Sequence, residues 1–384
     1  MSSDNRSFPL RPLAVLHSVF LLTGVLHVVG GPLLPSLAAT FHLRDNQSGL
    51  LFLVYFAGSS FGAALCVGRY ARAMTVGFVL VVFSCVGVIC AGWPLMLGAF
   101  AILGVGVGLA MSAVSLFVGR GLLDRSAPVL VLLNFTWSLG ALLAPLLAAL
   151  VLARANFRVA YALLAMAAAI AALACFLLLR DTPEISNPWR ESGTYRDLSA
   201  IALFGFACFL QVGIENTSAA WLTTYILRIT QRGPAFAATL SALYWAGFLL
   251  SRASASYLLL RLKASVLVRI SVPAAFAAAI LLFASRIQSI SCVAMFILGA
   301  ALGPIYPLLV GESFCHVRRV ADSRWILASA GFGGSILPWL TGWISAWSGS
   351  IRTGILTLPA ALVLMIVLLP LLFRSVSRSP QRQQ

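Results

Sequence analysis

The chain has 384 residues, of which 61% are hydrophobic and 9% charged, and its mean hydropathy is +0.99. Soluble domains run to about 45–50% apolar and roughly 25% charged, so a water-soluble globule and a disordered chain are both excluded. The net charge of +16 comes from 26 basic residues, all arginine except Lys263, against 10 acidic ones. These basic residues stand singly or in pairs between apolar runs, the pattern of charges that orient a membrane protein, and no nucleic-acid partner is expected.

The first apolar run, near 13–39, follows Arg6 and Arg11. It is longer than the core of a signal peptide and holds internal glycines and prolines, so it reads as a first, uncleaved span. Further runs fall near 48–67, 75–92, 94–118, 127–152 and 159–179. A polar stretch from Asp181 to Asp197, with Pro183 and Pro188, interrupts the series. Runs resume near 198–227, 234–259, 265–285, 289–311, 325–347 and 353–373. Lipid offers a backbone no hydrogen-bond partners, so runs of this length are helices. At about 20 residues per crossing they use nearly the whole chain and leave no soluble domain. The expected organisation is a six-helix bundle over 1–180, a linker over 181–197, and a second six-helix bundle with a basic tail over 198–384.

The basic residues fix an orientation. With the N-terminus inside, the inner segments hold Arg6, Arg11, Arg69, Arg72, Arg120, Arg125, Arg180, Arg190, Arg196, Arg261, Lys263, Arg318, Arg319, Arg324, Arg374, Arg378 and Arg382. The outer segments hold only Arg44, Arg154, Arg158, Arg228, Arg232, Arg286 and Arg352. Both termini are therefore expected in the cytoplasm, in a plasma membrane of bacterial type. The seven cysteines lack metal-ligand spacing and read as small buried side chains.

An internal repeat emerges from four matches in order. Phe20–Gly24 recurs as Phe209–Gly213 and Tyr55–Gly58 as Tyr244–Gly247, both at an offset of 189. Ile102-Leu-Gly104-x3-Gly108 recurs as Ile297-Leu-Gly299-x3-Gly303 at 195, and Gly140-x4-Pro145 as Gly333-x4-Pro338 at 193. Two six-span halves in the same orientation place a substrate site between them near the membrane midplane.

The chain resembles the major facilitator superfamily along its whole length. Its seventh and eighth helices are similar to those of the fucose:proton symporter group and sugar-transporter-like relatives, through Gly213-Ile-Glu215, Trp221–Tyr225, Tyr244-Trp245, Arg252, Gly303–Pro307 and Gly333–Trp339. Gly31–Pro35 and Gln47–Gly49 look like the same group. The resemblance implies twelve transmembrane helices in two parallel repeats, an all-α fold, transport without enzymatic chemistry or cofactor, and a monomer. The superfamily's basic loop between helices two and three corresponds to Ala64–Arg72. Arg69 and Arg72 keep the basic positions, but Gly68 stands where an Asp is usual and Ala71 where a Gly is usual. They serve either as gating residues or as orientation anchors.

Ionisable groups in the bilayer are costly and mark function. Glu215 is the only acidic residue deep within a span, roughly 25 Å along helix seven. It is a candidate to carry a proton, to bind solute, or to tie helices together. His27, at the repeat position of Asn216, either relays protons or bonds two helices. Arg252 is a gating residue or an anchor; counting along the helices places it below Glu215, too far for direct pairing. Gln211, Glu215, Asn216 and Trp221, with Asn134, Trp137, Tyr244, Trp245, Tyr306 and Trp339, make a polar and aromatic set suited to a sugar's hydroxyls and C–H faces. Gln211 and Gly213-Ile214 are similar to the corresponding stretch of facilitative sugar transporters. Gly104, Gly106 and Gly108 lie in an apolar helix and read as packing sites, not a nucleotide loop. No P-loop lysine, HExxH motif or nucleophilic triad is present. The expected function is secondary transport of a small polar solute, with sugar–proton symport first and proton-driven efflux of an amphipathic compound second.

Overall fold

A computed structural model of the chain describes residues 10–66, 68–121, 126–179, 198–285, 287–316 and 323–374. The expected linker at 181–197 lies outside these residues. The first half holds α1 (Leu10–Val28), α2 (Gly30–Phe41), α3 (Asp45–Ala64), α4 (Tyr70–Cys90), α5 (Leu95–Gly121), α6 (Ser126–Leu152) and α7 (Phe157–Leu179). The second holds α8 (Leu198–Thr230), α9 (Pro234–Leu259), α10 (Ala264–Ala284), α11 (Gln288–Leu302), α12 (Ile305–His316), α13 (Ser323–Ser348), α14 (Ile351–Ile355) and α15 (Thr357–Arg374).

These fifteen helices make twelve crossings, because three crossings are interrupted. The segments α1 and α2 meet at 42° around Val29. The pairs α11–α12 and α14–α15 are interrupted at Gly303–Pro304 and Leu356, and each continues as a single span. The sequence expectation of an unbroken run is corrected at α1–α2, the one pair among the described residues bent by more than 40°. Proline explains the breaks, since it supplies no N–H and crowds the preceding turn. Pro32 and Pro35, Pro304 and Pro307, and Pro359 stand just beyond the three breaks.

Among the described residues, nine crossings are long and apolar enough to span a membrane on their own, and the bent α1–α2 pair is a tenth. The remaining two, α3 and α13, are richer in Gly, Ser and Thr and pack against each other. Their composition follows from their place on the seam between the halves, where small residues let backbones approach closely. Large apolar side chains such as Phe83, Ile170 and Val367 point outward from α4, α7 and α15.

Packing reproduces the sequence repeat atom for atom. A Cβ on Gly104 would meet the Tyr55 carbonyl at 1.9 Å and the Ser59 nitrogen at 2.9 Å. One on Gly299 would meet the Tyr244 carbonyl at 1.8 Å and the Phe248 nitrogen at 3.1 Å. Gly58 faces Ala101 and Val105 as Gly247 faces Phe296 and Ala300. Every partner is displaced by the same 189 or 195 residues, so α3–α5 and α9–α11 are copies of one glycine-mediated crossing. Gly106 meets Gly77 of α4 in the same manner, which is the packing role read from the sequence.

Twelve crossings put the start of α1 and the end of α15 on one face, the terminal face. The seam is shut at the opposite face. Asp45 at the start of α3 takes both guanidinium nitrogens of Arg228 on α8, at 2.5 and 2.6 Å, and accepts a hydrogen bond from Ser345 on α13 at 2.5 Å. Below this latch, Gly342 packs on the Asp45 carbonyl, Gly49 on Trp339, and Gly31 on Ala219. Arg228, read from the sequence only as an orientation charge, is thus half of an ion pair between the halves.

Two outcomes follow. Gly299→Ala and Gly104→Ala each force backbone apart and are expected to cost about 1–3 kcal/mol of stability. Gly98→Ala, which meets nothing within 4 Å, is expected to cost none; thermal unfolding in detergent compares them. Asp45→Asn removes the charge that holds Arg228 and Ser345. Spin labels at Thr40 and Arg232, both exposed at the opposite face, are expected to gain a longer-distance population, measured by double electron–electron resonance.

Candidate functional site

A proline inside a helix leaves the carbonyl four residues earlier without its donor, and in lipid no water replaces it. Pro338 in α13 vacates the Gly334 carbonyl, and the Asn216 amide of α8 donates to it at 3.3 Å. Pro307 in α12 vacates the Gly303 carbonyl, and Arg252 Nε of α9 donates to it at 3.2 Å. At the same break, the Leu302 carbonyl that ends α11 receives Gln211 Nε2 at 3.1 Å. Trp221 Nε1 donates to the Pro338 carbonyl at 2.8 Å. Four residues expected at the site thus donate to backbone carbonyls at or beside proline positions of α11–α12 and α13.

Two of them also reach the other half. The Asn216 side-chain oxygen faces His27 Nε2 of α1 at 3.4 Å. These are repeat mates, 189 residues apart, and mates that touch each other mark the pseudo-twofold axis between the halves. Arg252 Nη1 donates to Ser138 of α6 at 3.2 Å, and its guanidinium lies over the rings of Phe248 at 4.3 Å and Trp137 at 5.5 Å. Arg252 therefore points into the seam and does not snorkel toward the terminal face. Glu215 is buried in protein and does not face lipid. It shares an electrostatic field with Arg252, Tyr244 and Tyr306, with no ion pair between Glu215 and Arg252 among the described residues.

Aromatic rings line this centre from both halves. Trp137 meets His27 at 5.5 Å and Trp245 at 6.2 Å. Trp245 meets Tyr244 and Phe248 at 5.0 and 5.2 Å. His27 also packs on Phe56 at 5.3 Å. Three buried polar atoms of this region have no hydrogen-bond partner among the described residues, His27 Nδ1, Trp137 Nε1 and Gln211 Oε1, and the Tyr244 hydroxyl, the fourth polar group here, has Ser218 beside it. They come from α1, α6, α8 and α9.

The remaining expected residues lie apart from this cluster. Trp221 is fully buried against Phe52 and Gly342, so it is part of the seam packing and offers a solute no open face. Trp339 lies higher on the seam, its backbone against Gly49. Asn134 is exposed, one turn before Trp137 and Ser138 on the same face of α6. Arg69 and Arg72 are exposed where α4 begins on the terminal face. Sequence reading missed Ser138, Phe248 and Phe56. Phe248 stands four residues before Arg252, the spacing that stacks two side chains on one helix face, and Ser138 adjoins Trp137.

The comparisons with known proteins follow this geometry. The glucose/mannose transporter GlcP of Bacillus subtilis (strain 168) is 22% identical over 348 residues, covering 85% of this chain and 86% of that protein. A bacterial homolog of the human lysosomal transporter Spinster, in an inward-facing and occupied conformation, aligns with a TM-score of 0.75 at 14% identity, over 98% of this chain and 100% of that one. The E. coli fucose:proton symporter FucP aligns at 0.64 and 18% identity, over 94% and 98%. These structural likenesses concern the fold. Residues 16–312 match the Major Facilitator Superfamily, and the chain belongs to that superfamily of membrane transporters.

Proposed function

We propose that this transporter moves a monosaccharide or similar neutral polyol together with protons, into the cell, by alternating access. The observation that carries this reading is the set of three unpartnered polar atoms on helices of both halves, with the Tyr244 hydroxyl as a fourth polar group. An N–H, a hydroxyl, an amide oxygen and an imidazole nitrogen offer donors and acceptors to several hydroxyls at once, while Trp137, Trp245 and Tyr244 offer faces to C–H surfaces. The names of GlcP and FucP supply the solute class and the proton.

Glu215 is assigned the proton. A carboxylate there asks for Arg252 as counter-charge, and a carboxylic acid does not. The two forms therefore place different demands on a residue that also ties α9 to α6. The moving bodies are residues 1–180 and 198–384, joined by 181–197, and the protein acts as a monomer. Its place is the cytoplasmic membrane of a bacterium with both termini inside, supported by the excess of basic residues on the terminal face. The latched opposite face is then the outer one, and Asn134 marks the inner approach.

Labelled glucose uptake into proteoliposomes under an inward proton gradient tests this. Wild type is expected to accumulate glucose. Glu215→Gln is expected to lose gradient-driven accumulation and keep counterflow; retained accumulation removes Glu215 from coupling. Trp137→Phe deletes one N–H and keeps a ring, and is expected to raise the half-saturating glucose concentration about tenfold.

A further inference from the structure

We propose that Arg252 is a positioning residue that acts as a detachable substitute for the hydrogen-bond donor missing at Pro307, so that the α11–α12 junction is held only while α6 and α9 stay together. This goes beyond the reading of solute and proton and does not depend on it.

The geometry has three parts. In an unbroken helix the Gly303 carbonyl would accept from the N–H of residue 307, and Pro307 has none. Arg252 Nε supplies the donor from the neighbouring helix. The same guanidinium spends a second nitrogen on Ser138, which belongs to the other half. Its planar fork makes this possible, since Nε and Nη1 are rigidly linked and cannot be aimed independently. A displacement of α6 from α9 that carries Ser138 away therefore removes one of the two contacts that aim Nε at Gly303. The rings of Phe248 and Trp137, one from each half, complete the guanidinium's setting.

The other carbonyl at the break does not share this arrangement. Leu302 is held by Gln211, whose α8 belongs to the same half as α11. Gln211 thus holds the end of α11 from within its own half, and Arg252 ties the start of α12 to the other half through Ser138. Tyr306, on the first turn of α12, lies in the electrostatic field of Arg252 and of Cys208 of α8, and α12 packs against α8. Cys208 is fully buried, which makes it a native reporter of α12 leaving its place.

The experiment is a double-mutant cycle on the full chain in proteoliposomes, read as the rate of N-ethylmaleimide labelling at Cys208 and resolved by peptide mass spectrometry. It needs no solute, so its outcome is separate from that of the glucose assay. Arg252→Met is expected to speed labelling about tenfold, the effect of losing one charge-assisted hydrogen bond. Pro307→Ala restores an N–H beneath Gly303 and is expected to change the rate less than about threefold. Combined, Pro307→Ala is expected to bring the Arg252→Met rate back to within about threefold of wild type. A merely structural arginine would show no such rescue. Labelling of Arg252→Met at the wild-type rate, or additive effects in the double variant, overturns the proposal. If Arg252→Met does not reach the membrane, Ser138→Ala cuts only the contact between halves. It is expected to speed labelling about threefold, and a wild-type rate there overturns the proposal equally.

Discussion

Inside a membrane a backbone carbonyl without a donor has no water to turn to, and much of this molecule's polar chemistry is arranged around that constraint. Prolines in α12 and α13 open two such vacancies near the middle of the second half. Asn216 and Arg252 fill them, with Gln211 and Trp221 holding carbonyls beside them. Gln211 joins the two sets of polar groups: its amide nitrogen holds the Leu302 carbonyl, while its amide oxygen is buried without a partner among the described residues.

The two ends of the seam are held by different physics. At the opposite face a bidentate ion pair with a third hydroxyl partner sits above glycine contacts. A charge-assisted pair of this kind is directional, and it lies where water can compete for its members. At the level of Arg252, a half-buried guanidinium meets a neutral serine and two aromatic rings. The first contact resists separation until the charges part and hydrate. The second is weaker per bond and is sensitive to any nearby charge. Such an asymmetry suits a machine that must open at one end at a time.

Much of the architecture was legible in the sequence because lipid enforces it. Helix limits fell within a few residues of the apolar runs, and the repeat offsets of 189 and 195 reappear as glycine contacts such as Gly104–Tyr55 and Gly299–Tyr244. The breaks were less legible. Proline marks a carbonyl that loses its helical donor, but which side chain from another helix replaces that donor, as Arg252 does at Gly303, depends on packing. The site was legible as a composition and not as an arrangement. Glu215, His27 and Arg252 were identifiable as costly residues in a bilayer. That Trp221 is consumed by packing while Trp137 faces the centre depends on helix rotation, which an almost uniformly apolar helix does not encode. Asp45 was hidden for the opposite reason: at a helix start it looks like an ordinary first-turn acid, and its partner Arg228 lies 183 residues away.

The meeting of His27 with Asn216 has a consequence of its own. A perfect dyad would present any guest with two identical ways to sit, related by a half turn. Here one mate is an imidazole and the other a carboxamide, so the two poses differ in energy at the very point where symmetry would have made them equal. The asymmetry runs on from there, since at the same offset of 189 Glu215 has Leu26 as its mate and Arg252 has Ala63, so one backbone plan presents two unlike walls.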